Sequence, residues 1–278
     1  MEKHIFLRKT IFILLLACSV SAQSQDMKII SFNIRYNSWN NIDGVNGWHN
    51  RKAAVARMIL DERPAAIGLQ EALIDQLLYL DSCLPNYRRL GVGRDDGHEA
   101  GEFMAIYYDT SRLELTGTDL WWLSETPEVP SKGWDAACYR TVTKGAFRDR
   151  KSGKRFVYFN THLDHVGKIA RAEGVKFLAS RVVGDCFDTP VIIGGDMNST
   201  TDDTIFNAIY DAGLQVARDM TRHTSHIDSY NAFGNGKTML IDHFFVRGVK
   251  VKRFVTLNGD YGVPYISDHY PIEMVIKL

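Results

Sequence analysis

Residues 191–200, VIIGGDMNST, run from a block of aliphatic residues through two glycines to an acid and an amide. The aliphatic block is typical of a buried β-strand, and the glycines permit close approach of the backbone. Asp196 follows this strand directly, and Asn198 comes two residues later. An acid in such a place is most often a helix cap or a turn residue. The segment alone therefore predicts a central strand and leaves the role of its two polar residues open.

The same arrangement recurs along the chain, because acids, amides and histidines follow or flank several of the apolar, strand-like segments. Ligands of α/β proteins commonly lie where strands end, so the recurrence indicates a ligand site. The residues of this series are Asn33, Glu71, His162, Asp196, Asn198, Asp242, Asp268 and His269.

Runs of adjacent strand-like segments alternate with a few helical ones, which predicts two sheets packed face to face with helices outside. Residues 50–64 place Val55, Met58 and Ile59 at helical spacing, which indicates a helix with one apolar face. Residues 202–213 are also predicted to be helical. A further helix is predicted at 167–183, with an apolar face made of Ile169, Ala172, Val175, Leu178 and Val182.

The first 22 residues have the pattern of a secretory signal peptide, with basic residues, a short apolar segment and small residues before a cleavage point. The apolar segment is too short to span a membrane as a mature helix. We therefore predict one domain at 23–278, exported to the periplasm or the extracellular space, with no transmembrane segment. Residues 15–18, LLAC, also resemble a lipoprotein signal, which leaves a lipid anchor at Cys18 as the alternative.

Three cysteines lie outside the predicted signal: Cys83, Cys138 and Cys186. Their number does not suit a disulfide framework, and their spacing is not that of a zinc site. We predict that they are small buried hydrophobic residues.

The charge balance argues against a protein that grips nucleic acid without sequence preference. The chain carries 33 basic and 33 acidic residues, and removal of the predicted signal leaves it slightly acidic. Proteins that bind nucleic acid in this way are usually more basic. A local basic patch would still be able to bind nucleic acid. Its candidate members are Arg35, Arg51, Lys52, Arg94, Arg140 and Arg148.

Six motifs, taken in order, carry a family resemblance: SFNIRYN, IGLQE, NTHLDH, IIGGDMNS, IDHFFV and SDHYP. In this order they resemble the endonuclease/exonuclease/phosphatase superfamily, the group with the deoxyribonuclease-I-like fold. The resemblance covers about residues 27–278. It implies an α/β (α+β) fold, a four-layered sandwich of two packed mixed β-sheets flanked by α-helices.

The resemblance also implies a metal-dependent hydrolase of phosphoesters. A phosphate ester is anionic, so its site must neutralise charge, activate water and stabilise the leaving oxygen. Hard oxygen ligands suit Mg²⁺, with Mn²⁺ as a substitute. The residues expected at the metal are Asn33, Glu71, Asp242 and Asp268.

Catalytic and substrate-binding roles follow from the same resemblance. Asp196 is expected to orient or deprotonate the attacking water, and Asn198 to hold a phosphate oxygen without adding negative charge. His269 is expected at the phosphate or in proton transfer, with Asp268 as its pairing partner. His162 is expected on the scissile phosphate or the leaving group. Arg140 and Asp164 are candidate substrate contacts, although a surface arginine and a support for His162 are equally open readings.

The substrate class stays open within this reading. We expect a small or lipid-derived phosphoester, because the chain is near neutral and is predicted to be exported. A secreted nuclease acting on DNA or RNA is the first alternative. A non-catalytic binding domain of the same fold is the second alternative. It predicts that Glu71, Asp196, Asn198 or His269 is replaced by another residue type, but all four are present. A monomer is expected.

Overall fold

The computed structural model describes residues 26–186 and 188–278, which form twelve β-strands and four α-helices. The predicted signal peptide, including Cys18, lies outside the described residues. The strands are β1 (Met27–Asn33), β2 (Ala66–Ala72), β3 (Tyr87–Leu90), β4 (Phe103–Asp109), β5 (Leu113–Trp122), β6 (Thr141–Asp149), β7 (Arg155–His162), β8 (Val191–Asp196), β9 (Gln215–Val216), β10 (Asp242–Arg247), β11 (Lys250–Thr256) and β12 (Ile272–Lys277). The helices are α1 (Trp48–Glu62), α2 (Ile74–Cys83), α3 (Lys168–Asp185) and α4 (Asn207–Asp211).

The strands form two six-stranded mixed sheets. The order in the first sheet is β11–β12–β1–β2–β4–β3, and in the second it is β5–β6–β7–β8–β10–β9. Each sheet contains one parallel pair, β1 with β2 and β7 with β8, while its other neighbours are antiparallel. The two parallel pairs are central, so their strands carry near-continuous apolar sequences.

Alternation along the strands produces the layers. In β1, Ile29 faces the second sheet, whereas Ile30 and Phe32 pack with the side chains of α1 and α2. On the other side, α3 and α4 cover the outer face of the second sheet. The order of layers is therefore helix, sheet, sheet, helix, which confirms the predicted four-layered sandwich.

The helix predictions are confirmed in part. Val55, Met58 and Ile59 are fully buried beneath α1, as their spacing indicates. Ile169 is wrong as a core residue of α3, because 56% of it is exposed, whereas Ala170 in the same turn is buried. The predicted helix at 202–213 is only the five-residue α4 after a 3-10 turn, Thr204–Phe206.

Strand register gathers the polar strand ends at one edge of the sandwich. Asn33, the last residue of β1, is opposite Gln70 in β2. His162, the last residue of β7, is opposite Asp196 in β8, and Asp196 is also opposite Asp242 in β10. The series of acids, amides and histidines in the sequence is thus one cluster in space.

Close backbone contact at the end of β8 requires the second glycine of VIIGG. A Cβ atom on Gly195 would lie 1.9 Å from the carbonyl oxygen of Thr161 on the parallel neighbour β7. The φ angle of Gly195 is also 154°, where side chains are rarely found. This glycine lets β7 and β8 approach closely directly beside Asp196.

Nowhere in residues 26–186 and 188–278 is a helix both long and apolar enough to cross a membrane.

We expect Gly195→Ala to destabilise the protein by at least about 3 kcal/mol, because the clash with Thr161 cannot be relieved without separating β7 from β8. Gly153→Ala is the matched control, since Gly153 also has a positive φ, 72°, but no atom within 4 Å of an added Cβ. The control should cost only about 1–2 kcal/mol. Urea unfolding of both variants checks this, and equal losses would contradict it.

Candidate active site

A cleft of about 650 Å³ opens at the edge where the polar strand ends meet. Most of the predicted site residues face it, namely Glu71, Arg140, His162, Asp196, Asn198, Asp268 and His269. Asn33 and Asp242 lie buried directly beneath these side chains. Asp164 is buried behind Arg140, away from the cleft surface. The structure therefore brings together nine of the ten predicted residues and places the tenth, Asp164, behind Arg140.

The carboxamide of Asn33 joins the two sheets at the floor of the cleft. Its Nδ2 donates to Glu71 Oε1 at 2.9 Å and to Asp196 Oδ2 at 3.1 Å. Its Oδ1 accepts from the backbone N–H of Arg35 at 3.0 Å. Both N–H groups of this amide are engaged, so Asn33 is placed to hold the two carboxylates in position. Its Oδ1 keeps a second lone pair, and its role at a metal stays a prediction.

Glu71 reaches the cleft through an irregularity in β2. The register with β4 shifts between Leu69 and Ala72, and Glu71 itself has a φ of 61°. A left-handed conformation is uncommon for a residue with a side chain and is often found at functional sites. The bulge turns the carboxylate toward the cleft, where it accepts from Asn33 and from the backbone N–H of Tyr36 at 3.3 Å.

The pairing partner of His269 is Asp242, and the predicted partner Asp268 is wrong. His269 Nδ1 lies 2.7 Å from Asp242 Oδ2 in a buried contact. Asp268 points elsewhere, with Oδ2 at 3.9 Å from Arg35 Nε and Oδ1 accepting from Ser267 Oγ. The reason is the register of β10, which places Asp242 opposite Asp196 at the base of the cleft.

Carboxylates hold His269 in its charged form. Burial alone would lower its pKa, but the charges of Asp242 and Asp196 outweigh burial and raise the pKa to about 10. His269 Nε2 lies 3.6 Å from Asp196 Oδ2. Burial and the neighbouring Asp242 carboxylate in turn raise the pKa of Asp196 to about 7, against the opposing charge of His269. An imidazolium and a carboxylate poised near neutrality therefore stand side by side.

The second histidine, His162, is in the opposite state. Burial and the positive charges of Arg140 and Arg94 hold its pKa well below the usual range. Its Nε2 lies 2.9 Å from Asn198 Nδ2, which also donates to the carbonyl of Leu163 at 2.9 Å. Neutral His162 accepts at Nε2 in this arrangement. Both protons of the Asn198 amide are engaged, so a phosphate oxygen would compete with His162 for one of them.

Arg140 is held from behind by Asp164, which corrects the predicted contact of Asp164 with substrate. Asp164 Oδ2 accepts from Arg140 Nε and from the backbone N–H groups of Ala137 and Cys138. Its Oδ1 accepts from two more backbone N–H groups, at 166 and 167. With both oxygens occupied and the side chain fully buried, Asp164 acts as a positioning residue for Arg140.

Two groups of donors in the described residues have the spacing of a metal site, and neither coincides with the predicted set. In the first, Asp196, Asp242 and His269 offer ligand atoms within 4.8 Å of one another. The hydrogen bond between Asp242 and the charged His269 already accounts for that proximity. In the second, Cys138, Asp164 and His165 surround Arg140. Its guanidinium, at 2.9 Å from His165 Nδ1, repels a cation there.

Glu71 is the carboxylate best suited to a cation. It receives only neutral donors, and within residues 26–186 and 188–278 no basic side chain forms an ion pair with it. Its charge raises the pKa of Asp268, where burial is the larger cause, so the two carboxylates sense each other. Together Glu71 and Asp268, whose contact with Arg35 is long at 3.9 Å, would suit a hard divalent cation.

The structure adds Glu102, which the sequence interpretation missed, and pairs it with Arg94, which the sequence indicated only as a candidate for a basic patch; both lie in the loop between β3 and β4 and line the cleft. They form a fork-to-fork ion pair, with contacts of 2.7 and 3.0 Å. Burial and the charge of Glu71 raise the pKa of Glu102 to about 7, although Arg94 and Arg140 oppose this shift. The available signal was two opposite charges in a glycine-rich loop, which is also typical of an ordinary surface turn.

The proposed basic patch does not form as one surface. Arg35, Arg94 and Arg140 line the cleft, but each is paired with an acid. Arg148 pairs with Glu114 in another part of the second sheet.

The prediction of three buried cysteines is wrong for Cys83 and Cys138, because only Cys186 is buried. Cys138 lines the cleft.

Arg51 is a buried support for the site. It is 1% exposed and its guanidinium donates to the backbone carbonyls of Ile34, Arg35, Asn46 and Ile266. The first two carbonyls follow Asn33, and the last precedes the Ser267–His269 segment. One helix residue thereby fixes the two loops that carry Arg35, Asp268 and His269.

Comparison with known proteins agrees with this geometry. Residues 30–269 match the model of the Endonuclease/Exonuclease/phosphatase family. Solved structures of similar fold include a mannosyl-6-phosphatase of Bacteroides thetaiotaomicron VPI-5482, 32% identical, which covers 91% of this chain and 100% of its own, with a TM-score of 0.84. An endonuclease/exonuclease/phosphatase from Bacteroides vulgatus is 31% identical over 91% of this chain and 99% of its own, with a TM-score of 0.86. An uncharacterized protein of Acanthamoeba polyphaga mimivirus is 25% identical over 270 residues, 90% of this chain and 100% of that protein.

The fold and the cleft define a hydrolase that acts on phosphoester bonds. The chain belongs to the endonuclease/exonuclease/phosphatase family, as its six motifs indicate.

Replacing Asp242 should weaken the preference of His269 for its charged form. We expect Asp242→Asn to lower the pKa of His269 by about two units, because the nearest carboxylate is lost. Asp268→Asn is the matched control, and it should lower this pKa by less than about one unit, since Asp268 does not contact the ring. Titration of the His269 ring protons by NMR measures both shifts. An equal effect of the two substitutions would restore Asp268 as the partner.

Asp164 should make stability depend on acid pH. Burial alone would raise its pKa, but the backbone N–H groups of residues 167, 137 and 166 and the Arg140 charge lower it. A carboxylate with a lowered pKa stabilises the folded state above its unfolded pKa, about 4, and loses that effect as pH falls through the folded pKa. We expect Asp164→Asn to cost about 2 kcal/mol or more at pH 7 and less near pH 3, since an amide N–H₂ would face N–H donors. Urea unfolding at both pH values measures this, and a pH-independent loss would contradict it.

Proposed function

We propose that this hydrolase removes phosphate from small, hydroxylated phosphomonoesters, with Mg²⁺ as its metal. The observation that carries the proposal is the state of Arg140. Only 4% of Arg140 is exposed, it lines the cleft, and its buried Nη1 has no hydrogen-bond partner among the described residues. Because Asp164 holds this guanidinium in place and Nη1 keeps unused N–H groups, Arg140 is suited to bind a single anionic group.

The other cleft arginines support a small substrate. Arg35 is neutralised by Asp43 at 3.0 Å, and Arg94 by Glu102 at 2.7 Å. A nucleic acid strand carries one negative charge per nucleotide and is usually held by a row of free basic side chains. The paired arginines of this cleft do not supply such a row, which disfavours the nuclease alternative. The mannosyl-6-phosphatase among the similar structures supports the same choice.

The acids of the cleft have a role if a divalent cation is present, as is usual in this family. Glu71 and Asp268 would hold the cation, and it would supply the positive charge that a phosphoryl group needs during transfer. Asn33 would keep Glu71 in position through its 2.9 Å hydrogen bond. Mg²⁺ is favoured over softer ions because the available ligands are oxygens.

The roles of the protein groups follow from their charge states. Asp196, whose pKa is raised, accepts a proton from the water that attacks phosphorus. The bond from phosphorus to the ester oxygen breaks, the ester oxygen leaves as an alcohol with a proton taken from solvent, and Asp196 returns its proton to solvent. Charged His269 and Arg140 stabilise the negative charge of the transferring group. Neutral His162 and Asn198 hold each other in the orientation that contacts this group.

Three further parts of the proposal come from the sequence. Export rests on the signal-like pattern of residues 1–22, with ordinary cleavage favoured over a lipid anchor at Cys18. An exported enzyme meets sugar phosphates and lipid head groups more readily than cellular messengers. We also propose that the enzyme is a monomer.

The proposal is tested with residues 23–278 and Mg²⁺ or Mn²⁺. We expect hexose phosphates to be hydrolysed with higher kcat/KM than bis-p-nitrophenyl phosphate, phospholipid head-group esters, RNA or plasmid DNA, and EDTA to abolish activity. Asp196→Asn should lower kcat by about 10²–10⁴-fold, because the general base is lost. Faster cleavage of plasmid than of any small ester would overturn the choice of substrate.

Glu71→Gln should lower kcat by at least about 100-fold and abolish binding of Mn²⁺, detected by electron paramagnetic resonance. Glu128→Gln is the control, because Glu128 has a side chain that is 73% exposed on the surface. The control should retain both activity and Mn²⁺ binding. Retention of Mn²⁺ binding by Glu71→Gln would move the metal to other ligands.

A further inference from the structure

The loop between β3 and β4, residues 91–102, forms a structured wall of the cleft. Its two arms are joined by backbone hydrogen bonds, from Arg94 N to Glu102 O at 3.1 Å and from Asp95 N to Ala100 O at 3.0 Å. Trp122 fixes the wall from the second sheet, since its Nε1 donates to the carbonyl of Arg94 at 2.7 Å. The position of the Arg94 and Glu102 side chains is therefore built into the fold.

These two side chains present an ion pair to the cleft with unused hydrogen-bonding capacity. Both parallel contacts of the fork are made, and the side chains are 11% and 16% exposed. Each Glu102 oxygen accepts one bond from Arg94 and keeps a second lone pair. Arg94 Nη1 and Nη2 each donate one N–H to Glu102 and keep a second N–H. The pair thus offers acceptors and donors but almost no net charge.

A hydroxyl group is the ligand that matches such a surface, because it donates and accepts at once. We infer that Glu102 and Arg94 bind the hydroxyl groups of the alcohol portion of the substrate and make the enzyme selective for phosphates of sugars and related polyols. This inference rests on the proposed phosphatase function and assigns two specificity-determining residues to it. Arg140 would hold the phosphate while the ion pair contacts the sugar.

Other substrates fit this wall less well. A second phosphate would gain no net attraction from this pair, because Arg94 is neutralised by Glu102, and it would meet the negative charge of nearby Glu71. An apolar alcohol would cover the ion pair without hydrogen bonds, and buried polar groups left unpaired are costly. The wall therefore separates polyol phosphates both from nucleotide chains and from apolar esters.

The test compares two esters that differ only in hydroxyl groups: a hexose 6-phosphate and cyclohexylmethyl phosphate. Wild-type enzyme should favour the hexose ester by about 10- to 100-fold in kcat/KM, the value of one or two hydrogen bonds to charged groups. Glu102→Gln should lower kcat/KM for the hexose ester by at least about 10-fold and for cyclohexylmethyl phosphate by less than about 3-fold. The loss should appear mainly in KM, which a general disturbance of the fold would not produce.

Arg94→Lys provides a second variant if Glu102→Gln does not fold, because it keeps the charge but removes the planar fork. Glu114→Gln is the matched control, since Glu114 also pairs with an arginine, Arg148, but does not line the cleft. The control should leave both esters unchanged. An equal loss on both esters, or no loss on either, would overturn the inference.

The outcomes also separate this inference from the proposed function. If wild-type enzyme hydrolyses neither small ester, the proposed function fails before any variant is compared. If it hydrolyses both equally well, the function stands and the role of the ion pair is refuted. A second assay compares kcat/KM for the free hexose phosphate with kcat/KM for the same hexose phosphate at the end of an oligosaccharide. The higher value identifies the free sugar phosphate or the phosphorylated glycan as the better substrate.

Discussion

One carboxamide, that of Asn33, connects the two sheets where their charges would otherwise repel. Its single nitrogen donates to Glu71 in the first sheet and to Asp196 in the second. Buried carboxylates are stable only when hydrogen bonds or opposite charges compensate them. The distance between the Glu71 and Asp196 carboxylates is thus set by an amide that bears no charge. A hydrolytic site at the junction of two sheets depends on this neutral spacer.

The remaining groups divide the charge of the cleft into separate regions. His269 is charged because Asp242 and Asp196 flank it, whereas His162 is neutral because it is buried and arginines lie near it. The two histidines therefore differ in charge, and neither charge state could be predicted from the residue type alone. Glu71 and Asp268 form the acidic side that suits a cation, and Arg140 forms the basic side that suits a phosphate. A phosphoester bound between the two sides would lie in an electric field that runs from Arg140 towards Glu71 and Asp268.

The sequence predicted the strand ends well, because the polar residue after each apolar run is a local pattern. Asn33, Glu71, His162, Asp196 and His269 were found in this way. The pairing of His269 with Asp242 was not, because it depends on the register of β10 against β8, which no local pattern encodes. The Arg94–Glu102 pair was missed since its loop resembles any polar turn. Ile169 was misplaced because helical spacing does not reveal where the covering sheet ends.

Arg51 shows how far the site extends beyond the cleft. Its side chain lies on a helix of the outer layer, yet it binds the carbonyls of the two loops that flank the catalytic floor. The smallest transferable unit of this site therefore includes α1, although no α1 side chain borders the cleft. Redesign that preserves only the substrate-facing residues would leave those loops without their common anchor. Relatives with identical cleft residues but another side chain at position 51 would hold the same chemistry on a looser frame.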